Sequence, residues 1–359
     1  MFLTRTAFLS VELHSAKSAK SASGSAGLEA KCKISSSSAV NKNNAGCCTW
    51  IGLNKLTFSN GQLAFKGKSY LDLLRSYFVL RMCCIDLFAN NAYKVFTTLQ
   101  RCLGSTLFTF IFKPTVYRNF IAGSSKNEIL STAASLSKSG LMPLISPMLE
   151  DGPEIGGFSE QKYNRNLNII RESLDICSSL ESPGGPKCFA IKLSAIIPAQ
   201  LLKDLSLALG ADEKISADQV LEISAALRTG KVNISSLKLT PQGLERLRNS
   251  RENIMLIGSE CESKNVSVYI DAEYTVYQPG VRLIVLALMH IFNRDHHTVW
   301  NTYQCYLKKT EQQIYDDTAL ITSLGARWAG KMVRGAYMEF ERTNALVYSV
   351  VDSFKITIP

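Results

Sequence analysis

The order of segments between about residues 124 and 342 is the feature of this sequence that most restricts its fold. Helical patterns alternate there with short apolar or β-branched runs that are bounded by turn residues. The predicted helices are 127–139, 161–180, 242–264, 281–292 and 310–324, and the predicted strands are 142–145, 188–193, 266–272, 298–303 and 331–333. Such alternation is typical of βα units around a parallel sheet. The sequence therefore predicts an α/β fold.

The number of predicted strands indicates an incomplete barrel. A (βα)8 barrel has eight strands, and the pattern gives about five. An insert at about 199–241, with a predicted helix at 217–228, separates the second strand from the next helix, and we interpret it as structural. After residue 342 the pattern ends in a divergent tail, 343–359.

A helical segment, 51–123, is predicted ahead of the barrel. Between residues 70 and 112, apolar residues recur at helical spacing with charges between them, which favours amphipathic helices. No 18-residue run is free of polar residues, so no membrane span is predicted. These helices would pack on the main domain or, as the less favoured alternative, lie on a membrane surface.

The first 50 residues have the composition of a mitochondrial transit peptide followed by a disordered leader. They mix apolar, basic and Ser/Ala-rich character, and Arg5 interrupts the apolar core that a secretory signal would need. Residues 1–55 carry seven basic and two acidic side chains, which is half of the net charge of +10. The remaining excess is spread without a basic run, which argues against nucleic-acid binding. Neither HExxH nor CxxC occurs, so no metal site is predicted.

Charged and polar side chains are concentrated at the ends of the predicted strands. In βα barrels these positions line the active site, and a charge buried there without a partner is costly. The strand-end residues are Lys192, Asp271, Glu273, Asn301, Gln304, Lys331, Arg334 and Tyr337. Asp271 and Glu273 share one face if the strand alternation continues. Polar ends on successive strands predict a functional site.

Four of these blocks also carry a family resemblance. They are IKLSA at 191–195, IDAEYT followed by QP at 270–279, NTYQCYLK at 301–308 and KMVRGAYMEFER at 331–342. In this order and spacing they resemble the proline dehydrogenases, and the similarity extends from about residue 68 to residue 342. Tyr274 and the VWN that begins the fourth strand are similar to the hydroxyproline dehydrogenase branch, whereas QCYLK and YMEFER are similar to the proline branch, so the substrate stays open.

The resemblance implies an FAD-linked barrel in mitochondria, on the matrix side of the inner membrane. It implies oxidation of L-proline to Δ1-pyrroline-5-carboxylate, or of 4-hydroxyproline, with electrons passed from FAD to a quinone and possible peripheral association with the inner membrane. By resemblance, the residues that contact the cofactor are Asn301, Gln304, Lys331, Arg334 and Gly335. Those on the substrate side are Lys192, Asp271 and Tyr337, with Lys192 and Asp271 as an ion pair and Glu273 behind them.

Two alternatives belong to other classes. Lys192 near a strand end is compatible with a Schiff-base aldolase, although Lys331 and the amides of NTYQ would then have no role. The chain is also compatible with a non-catalytic truncated isoform. The family continues through three more strands to an adjacent arginine pair, and no Arg-Arg dipeptide occurs in this sequence. We therefore expect little dehydrogenase activity from the 359-residue chain alone.

Overall fold

The computed structural model describes residues 2–3, 61–65, 67–149, 160–181, 185–335, 337–338 and 340–342. Apart from Phe2–Leu3, the predicted transit peptide and leader lie outside these residues, and so does the tail 343–359.

The sheet has six strands in the order in which they occur along the chain. They are β1 Phe2–Leu3, β2 Leu144–Ser146, β3 Lys187–Ile191, β4 Val266–Ile270, β5 Val299–Gln304 and β6 Gly330–Val333. Strand β1 pairs antiparallel with β2, and β2 to β6 pair parallel. The five parallel strands with helical crossovers are the predicted ones, so the predicted α/β fold class is confirmed.

Helices connect the strands and form an arm at the N-terminal side. They are α1 Gly61–Phe65, α2 Tyr70–Cys83, α3 Asp86–Phe112, α4 Arg118–Phe120, α5 Lys126–Lys138, α6 Glu160–Ser178, α7 Ala199–Leu209, α8 Ala217–Thr229, α9 Pro241–Ser263, α10 Gln278–Phe292 and α11 Thr310–Ser323. A π-helical turn, Lys113–Tyr117, joins α3 to α4. Each predicted strand and barrel helix is present within a few residues of its expected bounds. The insert holds two helices, because α7 accompanies the predicted α8.

The helices of the insert pack against helix α10. Its sequence, QPGVRLIVLALMHIF, is apolar on nearly every side, and such a helix is stable only when it is surrounded. Strand β5 covers one side of α10, and α7 and α8 of the insert cover the other. The contact with α7 is close: a Cβ at Gly280 would lie 2.2 Å from the carbonyl oxygen of Leu202. The insert therefore completes the core around α10.

The two faces of the sheet carry different side chains. Val268, Ile270, Val299 and Tyr303 belong to the large core under the helices. A second cluster lies on the opposite, inner face and consists of Leu144, Cys188, Ala190, Tyr269, Trp300 and Ala329. The rings of Tyr269 and Trp300 are 5.0 Å apart in this cluster. Because side chains alternate along a strand, this inner cluster fixes which strand-end residues face the barrel interior.

Helices α2 and α3 form an apolar arm whose outer side chains are exposed. Leu71, Leu87 and Phe110 are each more than 70% exposed. By length and composition alone, the run Asp86–Phe120 is apolar enough to cross a membrane, although the sequence had predicted no span. The helix is broken at Asn91 and at Gly104, which has φ +72°. The longest unbroken piece, 105–120, is about 24 Å long at 1.5 Å per residue, short of the roughly 30 Å hydrocarbon core.

Candidate active site

Four side chains form a polar layer, named here the polar row, at the carboxyl ends of the parallel strands. Register pairs Ile191 with Ile270, Ile270 with Asn301 and Thr302 with Lys331. One residue beyond Ile191 and Ile270, the same register brings Lys192, Asp271, Thr302 and Lys331 side by side on the inner face. The apolar pair Tyr269 and Trp300 lies one layer below. The polar row is therefore a layer of mostly charged side chains above an apolar layer.

Within the polar row, Lys331 is bound to Asp271. The Lys331 Nζ lies 2.6 Å from the Asp271 Oδ1, and the two side chains are 13% and 28% exposed. The sequence analysis had paired Asp271 with Lys192, whereas the structure shows the contact from Lys331 across Thr302. The register accounts for this partner, because β5 and β6 pair Thr302 directly with Lys331. The ion pair places a positive and a negative group together in the interior of the barrel.

Lys192 contacts an aromatic wall on the other side of the row. Its Nζ lies 5.6 Å from the ring centroid of Tyr337, within the range of cation–π attraction. The Tyr337 ring packs 4.3 Å from that of Tyr274, which in turn lies 4.7 Å from the ring of Phe340. The ammonium group and the rings together form a surface suited to a small ring that carries a carboxylate.

Glu273 lies behind the row and is 3% exposed. Its Oε1 accepts a hydrogen bond from the backbone N–H of Ser194, 3.0 Å away. Burial raises the pKa of Glu273, and the hydrogen bond and the nearby Lys192 partly oppose that rise. The carboxylate ties the end of β3 to the end of β4, which agrees with the supporting position that the resemblance implied.

Gln304 and Gly335 lie together at the ends of β5 and β6. The Gln304 Nε2 donates to the Glu273 carbonyl at 3.2 Å, and its Oε1 accepts from the Tyr306 hydroxyl at 2.8 Å. Gly335 has φ +119°, and a Cβ there would lie 1.8 Å from the Tyr306 ring. Only glycine allows the chain to pass Tyr306 in this way. Arg334, beside it, is exposed.

Asn301 lies on the opposite face from the polar row. It pairs with Gly330, whose Cβ would point at Trp328 and Tyr303 under the helices. Asn301 is 1% exposed, and among the described residues neither its Oδ1 nor its Nδ2 makes a hydrogen bond of good geometry, although the side chain acts on the nearby Tyr303 hydroxyl. A cavity of about 20 Å³, lined by residues 301–304 and by Gln278 and Arg282 among others, adjoins it and is large enough for about one water molecule. The role of Asn301 toward a cofactor stays a prediction.

Two residues of the site were not singled out from the sequence. Thr302 completes the polar row, and it could have been found by counting alternate positions from Trp300. Glu341 is 8% exposed and accepts from the N–H and the hydroxyl of Thr275, at 2.8 and 2.5 Å. It fastens the segment after β6 to the segment after β4. Among the described residues, no group of three or more His, Cys, Asp or Glu side chains could hold a metal ion.

Comparison with known proteins gives a family for this arrangement. The family model for proline dehydrogenase matches residues 191–353. The hydroxyproline dehydrogenase of Xenopus laevis is 32% identical over 80% of this chain and 60% of its own length. Proline dehydrogenase 1, mitochondrial, of Caenorhabditis elegans is 23% identical over 81% of this chain and 66% of its own length. The chain thus spans less than two thirds of these relatives.

A solved structure is also similar. Proline utilization A from Bdellovibrio bacteriovorus aligns with a TM-score of 0.48 and 15% identity, over 78% of this chain and 26% of that one.

Proposed function

The chain belongs to the proline dehydrogenase family, and from this premise we propose that it is an FAD-dependent dehydrogenase of proline or 4-hydroxyproline. The observation that carries the proposal is the polar row, in which Lys331 and Asp271 form an ion pair at the mouth of the barrel beside Lys192 and Tyr337. Parallel barrels place their chemistry at this end. A Schiff-base aldolase would need only Lys192, and the ion pair of Lys331 with Asp271 would then have no role.

The residues present fit a flavin. The polar row offers the Lys331 cation, and Thr302 has a buried hydroxyl with no partner among the described residues. We propose that Lys331, Arg334, Gly335, Gln304 and, as the sequence suggests, Asn301 hold the cofactor. When bound, FAD would accept a hydride from the ring carbon next to the substrate nitrogen, and a quinone would reoxidise it.

The chain's own part in this reaction is to position the substrate. The Lys192 ammonium attracts the substrate carboxylate, and the rings of Tyr337 and Tyr274 hold the five-membered ring. Asp271, fixed by Lys331, faces the substrate nitrogen, which must be neutral for hydride to leave and an imine to form. Fixed charges and rigid walls lower the barrier mainly by orientation. The partial burial of the Lys331–Asp271 pair protects it from solvent competition.

The test is spectroscopic and catalytic. We expect the purified chain to show flavin absorbance and to reduce an artificial dye only slowly, with proline or 4-hydroxyproline as the donor, in keeping with the low activity that the sequence predicts. 4-Hydroxyproline is the first substrate to try, because the Xenopus laevis hydroxyproline dehydrogenase is the more similar of the two relatives above, at 32% against 23% identity. A flavin-free chain whose Lys192 is trapped by borohydride with a carbonyl compound would favour an aldolase instead. A flavin-free, inert chain would favour the non-catalytic isoform.

We propose a mitochondrial location, supported by the composition of the first 50 residues and by relatives named as mitochondrial. A fusion of residues 1–60 to a fluorescent protein is expected to colocalise with a mitochondrial dye. Fusing residues 61–120 provides the control, because that segment lacks the Ser/Ala-rich basic leader. A diffuse cytosolic signal from the first fusion would contradict this location.

We further propose that the arm lies on the matrix face of the inner membrane. Residues 70–120 carry six basic and two acidic side chains, which suits an anionic surface. The exposed apolar side chains of α2 and α3 would enter the interface between headgroups and acyl chains. The breaks at Asn91 and Gly104 favour a helix that follows the surface over one that crosses it.

Vesicle sedimentation tests the arm directly. The chain is expected to bind phosphatidylglycerol vesicles, less so at high salt, and the double variant Leu87→Glu/Phe110→Glu is expected to reduce that binding severalfold. Both side chains are more than 70% exposed, so the change should not disturb folding. Leu207→Glu is the matched control, because Leu207 is 70% exposed but lies on α7. Equal loss of vesicle binding in both variants would show that the arm is not the membrane-binding surface.

A further inference from the structure

Thr302 differs from the rest of the polar row because its polar atom has no partner. The residue is 2% exposed, and its Oγ1 is buried without a hydrogen bond to any group of the described residues. Its two neighbours in the row, Asp271 and Lys331, bind each other. A buried hydroxyl without a partner costs about 1–3 kcal/mol, so a bound group is expected to satisfy it, either a water in the cavity lined by residues 301–304 or a ligand over the polar row.

Packing alone does not account for a threonine at this position. A β-branched residue suits a central strand, but valine has the same shape and no hydroxyl to bury. Trp300, one layer below on the same face, has its indole N–H bound to the carbonyl of His297. The polar group of the lower layer is therefore satisfied within the chain, whereas that of Thr302 is not.

We propose that Thr302 is a further ligand-positioning residue of this barrel, whose Oγ1 hydrogen-bonds a polar atom on the ring system of the bound flavin. The inference rests on the proposed function, because it takes the ligand over the polar row to be FAD. Flavin rings carry nitrogen and carbonyl oxygen acceptors, which a threonine hydroxyl can reach as a donor. Thr302 lies directly beside Lys331, so the hydroxyl and the ammonium group act on the same ligand from adjacent strands.

Thr302→Val separates this role from a structural one, because it removes the hydroxyl and keeps the shape. The variant is expected to bind FAD about five to ten times more weakly, the loss expected for one hydrogen bond, in a titration followed by flavin fluorescence. Without flavin, its thermal midpoint should stay the same or rise, since an unsatisfied buried group has been removed. Thr302→Ser, which restores a hydroxyl, should recover most of the affinity.

Thr298→Val is the matched control, because Thr298 lies four residues before Thr302, immediately before β5 and at the end far from the polar row. It should leave FAD affinity unchanged. If the parent binds FAD and Thr302→Val binds it equally well, the inference fails while the proposed function stands. A lower thermal midpoint of flavin-free Thr302→Val, with unchanged affinity, would show a structural hydroxyl and also overturn it. If the parent binds no FAD, the proposed function and the inference fall together.

Discussion

Asp317→Asn is expected to lower the free energy of unfolding by about 3–5 kcal/mol, the largest stability effect that we expect from a single substitution. Asp317 is fully buried in α11, and its carboxylate accepts three hydrogen bonds from Arg282 of α10, at 2.5 to 3.0 Å. The Tyr303 hydroxyl donates to the same carboxylate at 2.7 Å. Removing the negative charge would leave the Arg282 guanidinium buried and unpaired, which is the costly case for an ion pair.

The network also extends beyond these three residues, which makes its loss more damaging. The Trp328 indole N–H donates to the Tyr303 hydroxyl at 3.0 Å, and the Arg282 guanidinium donates to the Glu213 carbonyl at 2.8 Å. One group of hydrogen bonds therefore joins α10, α11, β5 and the segments before α8 and β6. Each is a part of the shell that holds β5 and its strand-end residues in place.

Urea denaturation measures the effect, with Asp204→Asn as the control. Asp204 also pairs with an arginine, Arg246, but that guanidinium is 38% exposed, so its loss should cost less than about 1 kcal/mol. The double substitution Arg282→Met/Asp317→Leu removes both charges and should restore part of the stability. If Asp317→Asn and Asp204→Asn proved equally mild, the buried network would not be a main stabilising element.

The sequence was sufficient to predict the parallel strands and the end of the sheet at which polar side chains are concentrated. Short apolar runs between helical patterns located all five parallel strands, and Lys192, Asp271 and Lys331 were found because charges interrupt or follow those runs. Helix α7 was not predicted, because only the segment 217–228 of the insert was assigned as a helix. Its signals were present: Leu201, Leu202 and Leu205 at helical spacing, and Gly210 just after the helix.

Pairing across strands was beyond the sequence. Lys192 is on the strand next to Asp271 and Lys331 is two strands away, and only the register and side-chain directions decide which lysine makes the 2.6 Å contact. Asn301 and Gln304 point to opposite faces of the sheet, as residues three apart in a strand do, so the sequence spacing alone could have separated them. The exposure of the arm could not be predicted either, because an amphipathic pattern does not show what packs against its apolar side.

Lys331→Ala is expected to slow flavin reduction by on the order of 10²- to 10³-fold, while changing thermal stability little. The ammonium group is positioned by Asp271 at the mouth of the barrel, and removing one such preorganised group from a charge-developing site costs about this factor. Folding should tolerate the change, because Asp271 is 28% exposed and regains water when its partner is lost.

Single-turnover reduction by proline and by 4-hydroxyproline, followed by flavin absorbance, gives the rate, and a thermal melt gives the stability. Lys331→Arg keeps the charge and should retain more activity than Lys331→Ala, since the guanidinium can still reach Asp271. Lys308→Ala serves as the control, because Lys308 is exposed four residues after Gln304 and has no contact with the polar row. If Lys331→Ala reduced the flavin as fast as the parent, this lysine would have no part in the chemistry. The Lys331–Asp271 pair would then be a purely structural link between β4 and β6.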